Sequence, residues 1–181
     1  MKFIIASDIH GDLNSANALI SVFNSENADK LIILGDILYH GPRNDLPSTY
    51  NPKEVIKLLN DYKTNIISVR GNCDAEVDQM VLDFDIMRKH RYIETDGLRF
   101  FITHGHELND TTPPALSQGE ILIHGHTHIP KCIKFGNGNY CLNPGSVSIP
   151  KNGFKPSFML YENRTFTIKT FDGDVIFEET I

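Results

Sequence analysis

Two spacings of apolar residues divide the chain. Short apolar runs at residues 2–6, 30–34 and 66–69 have the length of buried strands. Between them, apolar positions recur at helical spacing. Leu13, Ala16, Leu19, Ile20 and Phe23 follow Asp12, and Val55, Ile56, Leu58 and Leu59 follow Asn51-Pro52. Asp12 and Asn51 suit helix N-caps, and Pro52 suits the first helical position. A short third helix is expected near residues 75–82. This βαβαβ rhythm predicts parallel strands joined by crossover helices.

The second half reads differently. Asp96-Gly97, a strong hairpin signal, separates apolar segments 92–95 and 98–103. Run 120–124 leads into Gly125-His126-Thr127-His128. Segments 131–135 and 139–142 flank Asn137-Gly138. Segments 157–161, 165–171 and 174–180 are parted by Asn163-Arg164 and Asp172-Gly173. The expected class is α/β (α+β), opening as α/β and closing as a β-meander. The expected architecture is a four-layer αββα sandwich of two mixed β-sheets flanked by helices, in one domain over residues 1–181.

Composition narrows the function. Hydrophobic residues at 40% and charged residues at 22% fit an ordinary globular chain. The net charge is −6, and outside Arg88-Lys89-His90-Arg91 no Lys/Arg cluster interrupts it, which argues against general nucleic-acid binding. An acidic chain that handles an anion needs local positive charge, and bound cations would supply it. Cys73, Cys132 and Cys141 are too few and too scattered for a disulfide framework or a cysteine-based zinc site. With no apolar stretch of about 18 residues and no signal-peptide pattern, nothing is expected to span a membrane, and a cytoplasmic location is expected. Oligomeric state, including a homo-oligomer, is left open.

The polar punctuation is the informative part. Of the 8 histidines, His10, His104, His106, His124, His126 and His128 crowd into three short segments. Five apolar runs end in metal-ligating residues: Asp8 and His10, Asp36, Asn72, His104, then His126 and His128. Ligand sites of open α/β sheets lie beyond the carboxyl ends of the strands, so these tips can converge. Two carboxylates, an amide and four imidazoles suit Mn²⁺, Fe or Zn²⁺ better than Ca²⁺ or Mg²⁺. Seven side chains exceed the four protein ligands of an ordinary zinc site. Two ions sharing one carboxylate would account for the surplus.

In order and type, Asp8-x-His10, Gly35-Asp36, Gly71-Asn72-Cys73-Asp74, His104 and Gly125-His126-Thr127-His128 resemble the calcineurin-like metallophosphoesterases. Ser7-Asp8-Ile9-His10-Gly11, His40-Gly41-Pro42-Arg43-Asn44 and Asn143-Pro144-Gly145-Ser146 look like the small bacterial YfcE-type phosphodiesterase group. The resemblance implies two divalent ions per chain, Mn²⁺ foremost, with Zn²⁺, Ni²⁺ or Fe as alternatives. Asp8, His10, Asp36 and His128 would hold the first ion; Asp36, Asn72, His104 and His126 the second. A hydroxide between them would attack the phosphorus of a small phosphate ester. Asp36, Asn72 and Asp74 are the catalytic candidates. Arg43, Cys73 and His106 are candidates for touching substrate, although a loop salt bridge is the plainer reading of Arg43.

Strand alternation puts His124 on the face of His126, in a packed or ligand-supporting role. His40, His90 and Arg70 read as structural or solvent-facing. Many members of the family carry histidine where this chain has Cys73. A thiol is a weak donor, so the proton-donating role of that histidine does not carry over. The leading expectation is a phosphodiesterase. A phosphomonoesterase or nucleotidase is the alternative within enzymes. A non-catalytic scaffold, known on this fold from the retromer coat, is the alternative outside them; it would not need all seven ligands.

Overall fold

The computed structural model describes residues 1–181. The first three strands are β1 (Lys2–Ala6), β2 (Lys30–Ile33) and β3 (Ile66–Ser68), joined by α1 (Leu13–Ser25) and α2 (Pro52–Asn60). A third helix, α3 (Glu76–Gln79), is one turn long. There follow β4 (His90–Thr95), β5 (Leu98–Thr103), β6 (Ile121–Ile123), β7 (Lys131–Phe135), β8 (Asn139–Asn143), β9 (Ser157–Glu162), β10 (Thr165–Thr170) and β11 (Val175–Thr180).

The strands form two mixed sheets. One has the order β11-β10-β9-β1-β2-β3, the other β4-β5-β6-β8-β7. β1 is the hinge of the first sheet: Ile4 lies beside Leu31 of parallel β2 and beside Leu160 of antiparallel β9. The C-terminal meander thus returns to the N-terminal strand.

Alternation along the strands sorts side chains into layers. Ile4 and Ala6 of β1, with Leu31 and Ile33 of β2, meet Ala16, Leu19, Val55 and Leu59 of the helices. Phe3, Ile5 and Ile32 face the opposite way and meet Phe100, Ile102, Ile121 and Ile123 of the second sheet. The helix caps are the expected ones. The Asp12 carboxylate accepts from the Ser15 backbone N–H, and the Asn51 side chain accepts from Glu54 N–H.

The sandwich differs from expectation in two places. The outer face of the second sheet, with Phe101, Leu122 and Cys141, is covered by Leu108, Leu116 and Phe135 rather than by a helix. Segment 104–119 contains Pro113-Pro114 and no helical apolar stripe, so it crosses that face as a loop. The helix expected near 75–82 is confined to four residues and buries none of them; Val77, its one apolar residue, and Met80 just after it face solvent.

Candidate metal centre

The parallel strands β1, β2, β3, β5 and β6 deliver their C-terminal tips to one place. The loops there interlock by backbone bonds: Asp8 N–H donates to Gly35 O, His10 N–H to Asp36 O, and Gly125 N–H to His104 O. Five of the seven expected ligands leave their strands in the left-handed region, with φ of 60° at Asp8, 51° at His10, 55° at Asp36, 65° at His126 and 59° at His128. Non-glycine residues held there cost on the order of 1–3 kcal/mol each, and such strain gathers at functional sites. Close approach also requires glycine: a Cβ on Gly71 would overlap the Asp36 carboxylate, and one on Gly125 would overlap Ser7.

Three imidazoles are fixed through Nδ1 by backbone carbonyls. His10 donates to Tyr39 O at 2.7 Å, His104 to Leu34 O at 2.6 Å and His128 to Ile149 O at 2.5 Å. These bonds place a proton on each Nδ1 and turn each Nε2 inward. The Nε2 atoms of His10 and His128 then face each other at 3.3 Å, and Asp8 Oδ1 lies 3.3 Å from the latter and 3.7 Å from the former. That carboxylate oxygen is buried and has no hydrogen-bond partner. Lone pairs converging in a buried space without a donor repel one another unless a cation or proton lies among them. Atoms bound about 2.0–2.1 Å from a single ion sit about 3–3.5 Å apart; the two 3.3 Å separations match a metal and the 3.7 Å one is slightly wider.

A second group adjoins the first. His104 Nε2 lies 3.0 Å from Asn72 Oδ1, 3.3 Å from His126 Nδ1 and 3.4 Å from Asp36 Oδ2. The same Asp36 oxygen lies 3.8 Å from His10 Nε2, on the side of the first group. Its other oxygen accepts from Cys73 N–H at 2.8 Å, which fixes the carboxylate. His126 alone presents Nδ1, and its backbone N–H donates to Asp8 Oδ2 at 3.0 Å.

Charges follow from burial and neighbours. For Asp8, burial works upward, but the adjacent His128 ring and the charges of His104 and His10 outweigh it and hold the carboxyl below its ordinary range. Asp36 is likewise lowered, against burial, chiefly by His104. Burial favours neutral His104, yet Asp36, Asp8 and the Leu34 carbonyl push it up to about 9. His126 is pushed down to about 4 by burial and by the charge of His104.

The remaining candidates divide. Asp74 is buried and turns both oxygens onto backbone, accepting from Gly71 N–H at 2.7 Å and from Asp36 and Ile37 N–H at 2.9 Å; no part of it lines the cleft. Burial pushes it up to about 6 despite those three donors. Arg43 and Cys73 line a cleft of about 390 Å³ with Asp36, Asn72, His126 and His128. Arg43 makes no salt bridge and is free to meet an anion. Burial raises the Cys73 thiol well above its ordinary range, so it stays protonated. His106 stands outside the cleft, its ring 5.4 Å from that of His104, with its Nε2 3.8 Å from Glu107.

His124 departs from the sequence reading. The strand ends at Ile123, so His124 continues the outward face of Leu122 while left-handed His126 swings into the cleft; the two do not share a face. His40 packs between Tyr39 and Tyr50, and Arg70 Nε donates to Asp74 O. Lys151 lines the cleft and was not singled out from sequence. Its backbone N–H donates to His128 O, a long-range pairing that no local pattern announces.

The profile of the calcineurin-like phosphoesterase superfamily domain matches residues 1–165. The chain belongs to that superfamily. Phosphodiesterase YfcE of Escherichia coli strain K12 is 44% identical over 168 residues, which cover 93% of this chain and 91% of that protein. Phosphodiesterase MJ0936 of Methanocaldococcus jannaschii is 32% identical over 136 residues, covering 71% of this chain and 74% of its own. The structure of the E. coli phosphoesterase YfcE superposes with a TM-score of 0.97 at 42% identity, and all of both chains is covered. The two mixed sheets and their helices are thus the metallophosphoesterase fold, a family that implies divalent metals, and the converging Asp and His side chains are candidate ligands for them. No helix of this phosphoesterase is long and apolar enough to cross a membrane.

Proposed function

We propose that this chain is a divalent-metal-dependent phosphodiesterase with a dinuclear centre. The observation that carries the proposal is the unpartnered, buried Asp8 Oδ1 among inward-facing imidazole nitrogens. Asp8, His10 and His128 would hold one ion; Asn72, His104 and His126 the other; and Asp36 Oδ2, which reaches toward both groups, would join them. Two ions so held would polarise a phosphate ester and lower the pKa of an attacking water. The N/O donor set suits Mn²⁺, with Zn²⁺, Ni²⁺ or Fe as alternatives.

The chain's own residues do the rest. Cys73 N–H keeps Asp36 oriented, and Asp74 keeps the backbone of Asp36 in place. Arg43 and Lys151 stand on the cleft wall as unpaired cations, able to meet the substrate's outer phosphate oxygens. Cys73 touches Asn72 Nδ2 at 3.2 Å and offers a poor proton donor to a departing oxygen. The retained ligand set favours an enzyme over a scaffold. The relatives named phosphodiesterases favour diesters over monoesters.

The test is an activity panel on purified protein with aryl phosphodiesters and monoesters, each with Mn²⁺, Ni²⁺, Zn²⁺ and Mg²⁺. Metal-dependent turnover of diesters above monoesters supports the proposal. Preference for monoesters would favour the phosphomonoesterase reading, and binding of metal without turnover of either class would favour the scaffold.

A further inference from the structure

The outer face of the second sheet carries a second group of ligating side chains. Asp110, from the loop after His104, meets His124 at the end of β6 and Cys141 on β8. One ligand atom from each lies within 4.8 Å of the others. His124 and Cys141 are fully buried.

The His124 ring is oriented as a ligand would be. Nδ1 lies 3.0 Å from Gly125 O and 3.4 Å from Asn143 Nδ2; the two Asn143 amide protons go to Gly125 O at 2.8 Å and Thr127 Oγ1 at 3.1 Å, so Nδ1 is left to carry the proton toward Gly125 O. Nε2 is then a bare lone pair, and it is buried with no hydrogen-bond partner. It points at Asp110 Oδ1, 3.6 Å away, too far for a hydrogen bond. A bare nitrogen, a carboxylate oxygen and a sulfur thus border one small space, and an electropositive occupant is what that space lacks.

We propose that Asp110, His124 and Cys141 form a separate zinc-type cation site. The set of one nitrogen, one sulfur and one oxygen suits Zn²⁺, with solvent as the fourth ligand on the side where Asp110 is partly exposed. Binding forms a bond to Cys141 sulfur and releases the thiol proton to solvent. The ion would tie the loop after His104 to β6 and β8, which gives that face a clamp where no helix covers it. Lys131 is the built-in competitor: its ammonium holds Asp110 at 2.8 Å and 2.9 Å, so a metal must draw one carboxylate oxygen away. The site does not depend on the phosphodiesterase reading.

The experiment is a titration of chelator-stripped protein with Co²⁺ and Zn²⁺. It uses a Cys73→Ala background, because Cys73 sulfur lies near His10 and Asp36 and could give a thiolate signal of its own. One equivalent belonging to this site is expected, the third per chain when the proposed dinuclear centre also fills, and it carries a near-ultraviolet thiolate-to-Co²⁺ charge-transfer band. Adding Cys141→Ala or His124→Gln should remove that band and weaken the third equivalent at least tenfold, with the far-ultraviolet circular dichroism retained. Lys131→Met should tighten the third equivalent. Absence of the band in the Cys73→Ala protein overturns the proposal, whether or not the further variants fold. Survival of the band in Cys141→Ala, or a weaker third equivalent in Lys131→Met, would overturn it as well.

Discussion

Asp74 holds Asp36 by its backbone, not by its side chain. Asp74 Oδ2 accepts from Asp36 N–H at 2.9 Å, and Oδ1 accepts from the next N–H, that of Ile37, at 2.9 Å. Since Asp36 sits at φ 55°, the carboxylate pins a strained turn whose side chain reaches toward both candidate metal positions. Asp74→Ala leaves three buried N–H groups without partners, each at a cost of about 1–3 kcal/mol. The variant should melt several degrees lower and bind metal more weakly, and calorimetry with metal analysis measures both. Wild-type melting and metal content would show that the turn holds without Asp74.

Asp36→Asn and His126→Ala should abolish turnover while the fold survives. Asp36 Oδ1 serves Cys73 N–H, a bond an amide oxygen can still accept, whereas the negative charge that would join the two proposed ions is lost. His126 is half-buried at a loop tip and adds little to either apolar core. More than about a tenth of wild-type kcat/KM in either variant, a barrier change under roughly 1.4 kcal/mol, would mean that catalysis lies elsewhere.

Metal binding should release protons, and the sign follows from His104. In the metal-free protein its pKa stands at about 9, above the ordinary 6.5, so near neutral pH the ring holds a proton that a metal must displace. His126, pushed down to about 4, has none to give, and Asp8 and Asp36 are lowered as well. Between pH 6.5 and 9, metal binding at the proposed dinuclear centre should release about one proton and tighten as pH rises. The His104 contribution to metal-free stability is fully present below 6.5 and is lost as pH rises through 9. Titration calorimetry of Mn²⁺ in buffers of different ionisation heat counts the protons. A count of zero at pH 7 would contradict the charge assigned to His104.

Much of this was legible because the centre is built at strand ends. Each apolar run announces its strand, and the polar residue after it announces a tip; the placement of Asp8, Asp36, His104 and His126 at such tips was legible this way. The Asp96-Gly97 turn was legible for a different reason: both residues adopt positive φ, 51° and 76°, as a two-residue hairpin turn demands. The supports of the centre were not legible. Tyr39, Leu34 and Ile149 contribute only backbone carbonyls, which carry no side-chain signature. Ser146 and Ser148 both donate to Asp8 O, at 2.9 Å and 2.8 Å, from more than a hundred residues away. His124 was misplaced because alternation was extended past the end of its strand, where a left-handed residue breaks the period.

Cys73 sets the expected leaving-group preference. Its thiol lies on the cleft wall, is raised above its ordinary range by burial and by the nearby Asp36 carboxylate, and accepts from the Asn72 amide at 3.2 Å. A proton so held is a poor one to hand to a departing alkoxide. A nitrophenolate departs without needing it. Asp74 does not substitute, because its oxygens are committed to backbone and lie outside the cleft. General acid catalysis is worth about 10²–10⁴-fold. Alkyl phosphodiesters should therefore be slower than aryl ones by about that factor beyond their intrinsic difference in reactivity. Cys73→Ala should be close to neutral on aryl substrates. Cys73→His would place an imidazole on the cleft wall beside Asn72 and should raise kcat/KM on alkyl substrates more than on aryl ones. Comparing the three proteins on both leaving-group classes, at matched metal occupancy, separates the outcomes. A hundredfold loss for Cys73→Ala on aryl diesters would make the thiol a catalytic group, and the preference for activated leaving groups would need another cause.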